Sequence, residues 1–493
     1  MAAVLFSCKL PAMRLGIDFG TTHTVVALVD RGNYPIVSFE QGDAVPSLVS
    51  VDPSGALHFG VAEPAFPVLR SFKRLLDSAR PDATVELGGQ KFLLSDLLTK
   101  FLGHLRHELL HRSNAGLSEG EPIEAAVSVP ANASTAQRLI TMDAFRRAGF
   151  GVKAVLNEPS AAGFEYAHRF RETVTSKREY VLVYDLGGGT FDASLIHMQG
   201  RSNEVITSSG VSRLGGDDFD ETIARLILAR HGGEVTRTLL DDVRAQKEAI
   251  NPNTRRFTVD AAERHVVLPI EDVFEACAPL VEQTLTAMEP AMRDPRRKGD
   301  NVAWGELAGI YVVGGASAFP PVYRKLRERF GAHRVRRSPH PFGSCAIGLA
   351  IHLDESAGYS LSERLTRHFG VFREDAAGDD ISFDVLVPKD TALPAEVSRR
   401  YRAAHNVGHY RFVECGRIEQ GRPEGNLAAW DEVLFPFDPS LRAAADLAGV
   451  PIRRLGDGPE IEEVYRCAAD GTVEASLRVL DDGFERTVRL GRR

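Results

Sequence analysis

The sequence predicts an α/β domain built from two related halves, followed by an antiparallel β domain. Three observations carry that reading. "RLGIDFGTTHTVVALVD" (Arg14 to Asp30) and "VLVYDLGGGTFDAS" (Val181 to Ser194) share one layout, in which an apolar strand, an aspartate, glycine, hydroxyl residues and a second apolar strand follow in order. A later strand, "GIYVV", stops at Gly314-Gly315 and gives way to a charged helix after Pro320-Pro321. From about Phe369 the helical periodicity is replaced by short alternating strands, such as "ISFDVLVPKDTALPAE" and "IEEVYRCAADGTVEASLRVLDDGFERTVRL".

Length and composition bound the function. A chain of 493 residues exceeds one compact core and suits two or three domains. Its net charge of -8 offers no general attraction to nucleic acid or to an anionic membrane. The five cysteines (Cys8, Cys277, Cys345, Cys415, Cys467) lie far apart and form no C-x-x-C pair, which points to reduced thiols in a cytosol. Residues 1–13 lack the basic start of a signal peptide, and Ala2–Phe6 is too short an apolar run, so they read as a leader before the strand that opens at Met13. No apolar run reaches the roughly 18 residues of a membrane span.

The two matched stretches explain each other's glycines. A short turn between two strands makes an antiparallel hairpin with Asp18 or Asp185 at its mouth, and turn amides unshielded by side chains form a nest for phosphate oxygens. Two such nests facing across a cleft would hold a polyphosphate from both sides. Two carboxylates beside a polyphosphate require a cation between them, and Mg²⁺, which keeps several waters, suits few direct protein ligands. For a single Asp-x-Gly, an ordinary turn is the commoner explanation; two matched ones favour the site. Gly314-Gly315 would let a base or ribose approach the backbone. In "VLNEPSAAGFEYAH" (Val155 to His168), Glu158 stands where a strand becomes a helix, either as a charge favoured by the helix dipole or as a catalytic carboxylate.

Seven segments in order, "GIDFGTTHTVVAL", "SFKRLL", "VSVPANASTAQRLITMDAFRRAGF", "LNEPSAAGFEY", "VYDLGGGTFDAS", "LGGDDFD" and "YVVGGASAFPPV", resemble the ATPase domain of the 70-kDa heat-shock (DnaK-type) chaperones. The resemblance covers about Arg14 to Asp354. It implies an α/β actin-like ATPase domain over 14–355, a linker over 356–368 and a β-sandwich for peptide or partner binding over 369–493. By the same resemblance Lys73, Glu158, Asp185 and Thr190 are catalytic, and Asp18, Asp185 and Asp192 surround Mg²⁺ with K⁺ nearby. Gly20, Thr21, Thr22, Gly187, Gly188, Gly189, Thr190, Gly215, Gly216, Lys247, Asn251, Gly314 and Gly315 contact ATP or ADP, while Pro130 and Arg138 relay nucleotide state. For Lys73 the bland alternative is a solvated lysine paired with Arg74.

Departures from the family pattern shape the remaining expectations. "GRPEGNLAAWDEVLFPFDPSLRAAADLAGVPIRR" (Gly421 to Arg454) departs within the sandwich, and no counterpart of the family's helical lid follows before Arg493. The connector Asp354–Leu365 lacks the leucine-rich run through which the family docks its linker. Ala154 stands where a basic residue meets J-domain proteins, and the segment between Asp220 and Gly309, part of the exchange-factor surface, is short. Both arginines that stack on adenine are missing: Glu248 and Ala318 hold their places, leaving Arg244 to reach the base. The basic stretch Arg324 to Arg337 reads as a solvated helix face rather than a nucleic-acid site. Three readings follow: an ATP-hydrolysing chaperone for client polypeptides, which is preferred; a nucleotide-controlled module for one dedicated partner; and a metabolite kinase, which the chaperone-like segments oppose.

Overall fold

A computed structural model describes residues 12–63, 65–77, 82–261, 264–296, 301–375, 380–425, 427–444 and 446–490. Cys8 and most of the leader lie outside this range. The chain forms two compact units. The first runs up to Leu75 and continues through Thr84–Asn132 and Met142–Leu361. The second holds the stretch between Leu75 and Thr84, Ala133–Thr141, and the chain from Ser362 onward.

The first unit contains the same sheet twice. In one copy, strand Met13–Phe19 pairs antiparallel with His23–Leu28 and parallel with Ile123–Val129, which in turn pairs parallel with Gly151–Asn157. In the other, Tyr180–Leu186 pairs antiparallel with Phe191–Gln199 and parallel with Leu307–Val313, which pairs parallel with Val335–Arg337. Tyr180–Leu186 and Leu307–Val313 are buried at every residue. Central strands covered on both faces explain why their sequences are continuous apolar runs rather than alternating ones. The corresponding helices also match: Thr135–Arg147 and Pro320–Phe330 cross between parallel strands, while Glu158–Arg169 and Ser344–Leu353 follow the last strand of each copy.

The helices Glu158–Arg169 and Ser344–Leu353 pack together in a core that also takes Val25 and Ala126 from one sheet and Val181 and Val183 from the other. Ala161, Ala162, Gly163, Ala346, Gly348 and Ala350 keep both helices slim enough to fit between the sheets. Each half carries an insertion. The first includes the helix Leu94–His111, whose Leu94, Leu97, Leu98, Phe101, Leu102, Leu105 and Leu109 repeat at helical spacing on its buried face. The second includes the helices Gly216–His231, Arg237–Glu248 and Ile270–Met288 and the hairpin Arg256–Ala261 with Arg264–Pro269. Strand Ser360–Ser362, within the connector, joins the second sheet beside Ser202–Val211.

The second unit is an antiparallel sandwich. One sheet orders its strands as Asp380–Val387, His368–Asp375, Val407–Cys415 and Ala428–Pro436; the other as Ala395–Arg402, Glu460–Cys467, Val473–Val479 and Glu485–Arg489. Both inner faces feed one core, in which Phe369 and Phe412 meet Tyr465 edge-on at 6.2 and 5.8 Å between ring centres. Glu463 is fully buried there. It accepts from both terminal nitrogens of Arg373 at 2.9 and 2.6 Å, from Tyr401 at 2.6 Å and from Tyr465 at 2.8 Å.

Candidate functional site

The two hairpin turns meet face to face. A Cβ on Gly188 would lie 2.5 Å from Thr22 Cγ2, and one on Gly189 would lie 2.7 Å from Thr21 Cγ2. Side chains on that triple-glycine turn would therefore hold the halves apart. The start of the helix Gly216–His231 is fixed to the same turn, with Gly216 N donating to Gly187 O at 3.0 Å and Asp217 N to Gly188 O at 2.8 Å. Gly314 completes this corner at φ 82°, where a Cβ would stand 2.4 Å from both Leu186 O and Asp185 Oδ1. Only glycine combines that backbone with that proximity. Between these elements opens a cleft of about 1130 Å³, counting its open mouth.

Charge concentrates at the closed end. Lys73 lies in the short helix Phe72–Leu76, and its Nζ donates to Glu158 Oε1 at 2.5 Å. Burial opposes the lysine's charge, but Glu158 and Asp18 outweigh it and raise its pKa. Lys73 is only 5% exposed, which excludes the solvated alternative. Arg74 instead turns to Gly189 O and Asp218. Just before this helix Ser71 adopts φ 52°, rare for a residue with a side chain, while its hydroxyl donates to Asp217 Oδ2 at 2.6 Å.

The aspartates are crowded. Asp185 faces Asp192 directly across the second hairpin. Asp18 accepts from Ser128 Oγ at 2.6 Å. Burial and then repulsion from Glu158 push Asp18 up to about 6 and Asp192 to about 8, and the same causes, with Asp18 and Asp192 added, raise Asp185 well above the carboxylate range. Cys345 Sγ donates to Asp185 Oδ2 at 3.7 Å. The site thus carries more buried acid than Lys73 neutralises, an arrangement that accepts a cation. Among the described residues no group of three or more His, Cys, Asp or Glu side chains converges closely enough to chelate a metal. The donor set fits an ion held largely through water and phosphate oxygens, as Mg²⁺ commonly is.

Of the sequence-predicted residues, Asp18, Gly20, Thr21, Thr22, Lys73, Glu158, Asp185, Gly187, Gly188, Thr190, Gly216, Lys247, Gly314 and Gly315 line one cleft. Gly189 and Gly215 form the packing behind it: a Cβ on Gly215 would lie 2.7 Å from Gly189 N. Asp192 is buried beside Asp185 rather than on the wall, and Thr190 hydrogen-bonds to it. Asn251 sits on an exposed turn beyond the helix Arg237–Glu248, its side-chain oxygen accepting from Asn253 N. Pro130 follows the strand Ile123–Val129 and is buried. Arg138, grouped with the second unit, has its pKa lowered by burial against the pull of Glu363, Glu414 and Asp470. Arg244 does not swing free toward a base: it holds Asp217 at 2.7 Å and Asp220 at 3.1 Å. Sequence reasoning missed His23, Phe342 and Cys345 on the wall. The duplication could have found Cys345, because the strand-to-helix junction after Val335–Arg337 repeats the one that presents Glu158.

A duplicated α/β unit whose two glycine turns close over a buried lysine and several carboxylates defines an actin-like ATPase. The Hsp70 protein family model matches residues 74–360. Chaperone protein HscA homologs are similar along nearly the whole chain: that of Laribacter hongkongensis is 33% identical and that of Ralstonia nicotianae 30%, each over 97% of this chain and 78% of the relative. The homolog of Pseudomonas fluorescens is 29% identical over 97% of this chain and 77% of the relative. The chain belongs to the Hsp70 family, and it is an ATP-dependent chaperone that hydrolyses ATP and acts on client polypeptides.

Proposed function

We propose that ATP lies in the cleft of the first unit with its phosphates between the turns Gly20–Thr22 and Gly187–Thr190, and that Lys73 and Glu158 carry hydrolysis. The observation that supports this most is the Lys73–Glu158 pair at the closed end of the cleft, directly beside the two facing turns. Phosphoryl transfer to water asks little covalent chemistry of a protein; rate comes from positioning the water and neutralising charge on the γ-phosphate. Lys73, kept protonated by its acidic neighbours, supplies a donor and a charge there. Glu158, fixed by Lys73 and by its place at the start of a helix, accepts a hydrogen bond from the attacking water. Thr190 donates to a phosphate oxygen or to that water, and Gly216, Lys247, Gly314 and Gly315 form the nucleoside end.

Asp18 and Asp185, backed by Asp192, would hold Mg²⁺ through water, with K⁺ beside it. The ion would supply charge neutralisation between the phosphates. Cys277, Cys345, Cys415 and Cys467 are buried free thiols, which supports a reducing, cytoplasmic setting. Phosphate release from ATP in wild type and Lys73→Ala tests the assignment. Turnover should fall by on the order of a hundredfold or more while ADP binding persists; equal turnover would remove Lys73 from the reaction.

The sandwich is the client-binding unit in this reading, and one dedicated partner is its narrower form, supported by the unfamiliar stretch Gly421 to Arg454. Capture from lysate in ATP and in ADP separates the two. Many unfolded chains retained in ADP support general client binding, whereas one stoichiometric protein supports the dedicated form.

A further inference from the structure

The nucleoside end of the cleft has cations, but each is already engaged. Arg244 is held by Asp217 and Asp220, and Lys247 contacts Asp220 at 2.6 Å and donates to Gly216 O at 2.7 Å. Neither can stack on a base without giving up these contacts to buried or half-buried groups. Glu248 and Ala318, which also line this end, offer no flat surface. Phe219 and Phe319 line it too, but they are 0% and 4% exposed and pack against each other, tilted, with ring centres 5.3 Å apart.

Phe342 differs from both. It lines the same cleft and is 51% exposed, a large apolar ring left open to solvent inside a polar site. Its position is fixed. The preceding residue, Pro341, accepts a backbone hydrogen bond from Gly314 N at 2.9 Å, and the following Gly343 N donates to His340 O at 2.9 Å. The ring lies over Gly315 so closely that a Cβ there would stand 2.3 Å from ring atom Cε1, 2.8 Å from Cδ1 and 3.1 Å from Cζ. His23, beside the phosphate turn, meets it edge-on with ring centres 6.3 Å apart and planes at 81°. An exposed aromatic ring, held by an anchored loop against bare glycine backbone, is the form of a stacking platform.

We propose that Phe342 is the base platform of this cleft and determines its nucleotide preference. The inference rests on the nucleotide assignment above. Every base has a π-face, so stacking without hydrogen-bond readout tolerates adenine and guanine alike and favours the larger purine rings over pyrimidines. Because the base is remote from the γ-phosphate, the ring would contribute equally in ground and transition states. Its loss would then raise KM for ATP and leave kcat unchanged.

Calorimetric titration of the full chain with ADP and with inorganic tripolyphosphate, both in Mg²⁺, tests this in wild type, Phe342→Ala, Phe342→Leu and Phe342→Tyr. Phe342→Ala and Phe342→Leu should bind ADP roughly tenfold or more weakly, Phe342→Tyr should bind it like wild type, and tripolyphosphate affinity should be the same in all four. Phe342→Leu, which keeps apolar bulk over Gly315, separates loss of the ring from loss of the cover. Wild-type ADP affinity in Phe342→Leu, or a parallel loss of tripolyphosphate binding, overturns the platform. If wild type binds neither ligand, the nucleotide assignment itself falls.

Discussion

The Lys73 ammonium stands 2.5 Å from the Glu158 carboxylate although 85 residues separate them in the chain. Each is buried, and each lies in the first turn of its own helix, so the contact holds two segments in fixed relation at the closed end of the cleft. Glu158→Gln keeps the side-chain size and removes the charge proposed to position the water. Phosphate release should drop on the order of a hundredfold with ADP affinity close to wild type. Release at the wild-type rate would show that Glu158 only anchors Lys73.

Asp185 lies among Asp18, Asp192 and Glu158, and burial with their repulsion raises its pKa. Asp185→Asn relieves that repulsion. The nucleotide-free protein should therefore melt at a higher temperature, while the dependence of ADP affinity on Mg²⁺ weakens. A lower melting temperature together with an unchanged Mg²⁺ titration would contradict both halves of the argument.

Gly314→Ala forces a side chain into a φ of 82° and places its Cβ 2.4 Å from Leu186 O. The cost should be on the order of 2 kcal/mol or more, read as a lower denaturation midpoint. Gly305, with nothing within 4 Å of its Cβ position, serves as the control and should tolerate alanine. Equal effects at the two sites would mean that the Gly314 corner relaxes freely.

Much of this arrangement was legible because its signals are local. An aspartate before bare glycine between two apolar strands marks a hairpin wherever it occurs, and finding it at Asp18 and again at Asp185 revealed the duplication. Pairings across long separations were less legible. No local pattern announces that Ser128 fixes Asp18, which depends on the pairing of strands far apart in sequence, or that Asp217 and Asp220 engage Arg244, which depends on how the inserted helices pack. Phe342 escaped notice for a related reason: in sequence it resembles any loop aromatic, and only the fold brings it onto Gly315.

In the sandwich, half-buried Arg373 makes a two-point ion pair with fully buried Glu463, which also accepts from two tyrosine hydroxyls. Arg373→Met leaves the Glu463 charge without its cation and should destabilise the second unit by about 3–5 kcal/mol. ATP turnover at low temperature should persist, because the cleft residues belong to the first unit. A chemical-denaturation midpoint unmoved by the substitution would show that the tyrosines alone satisfy Glu463.

Backbone hydrogen exchange on adding ADP and Mg²⁺ probes the central claim, that the two facing glycine turns grip one polyphosphate, most directly. The amides of Gly20–Thr22 and Gly187–Thr190 should slow together, over the same ADP concentration range, since both sets donate to the same ligand. Protection of one turn without the other, or of neither while ADP is bound, would contradict a polyphosphate held from both sides.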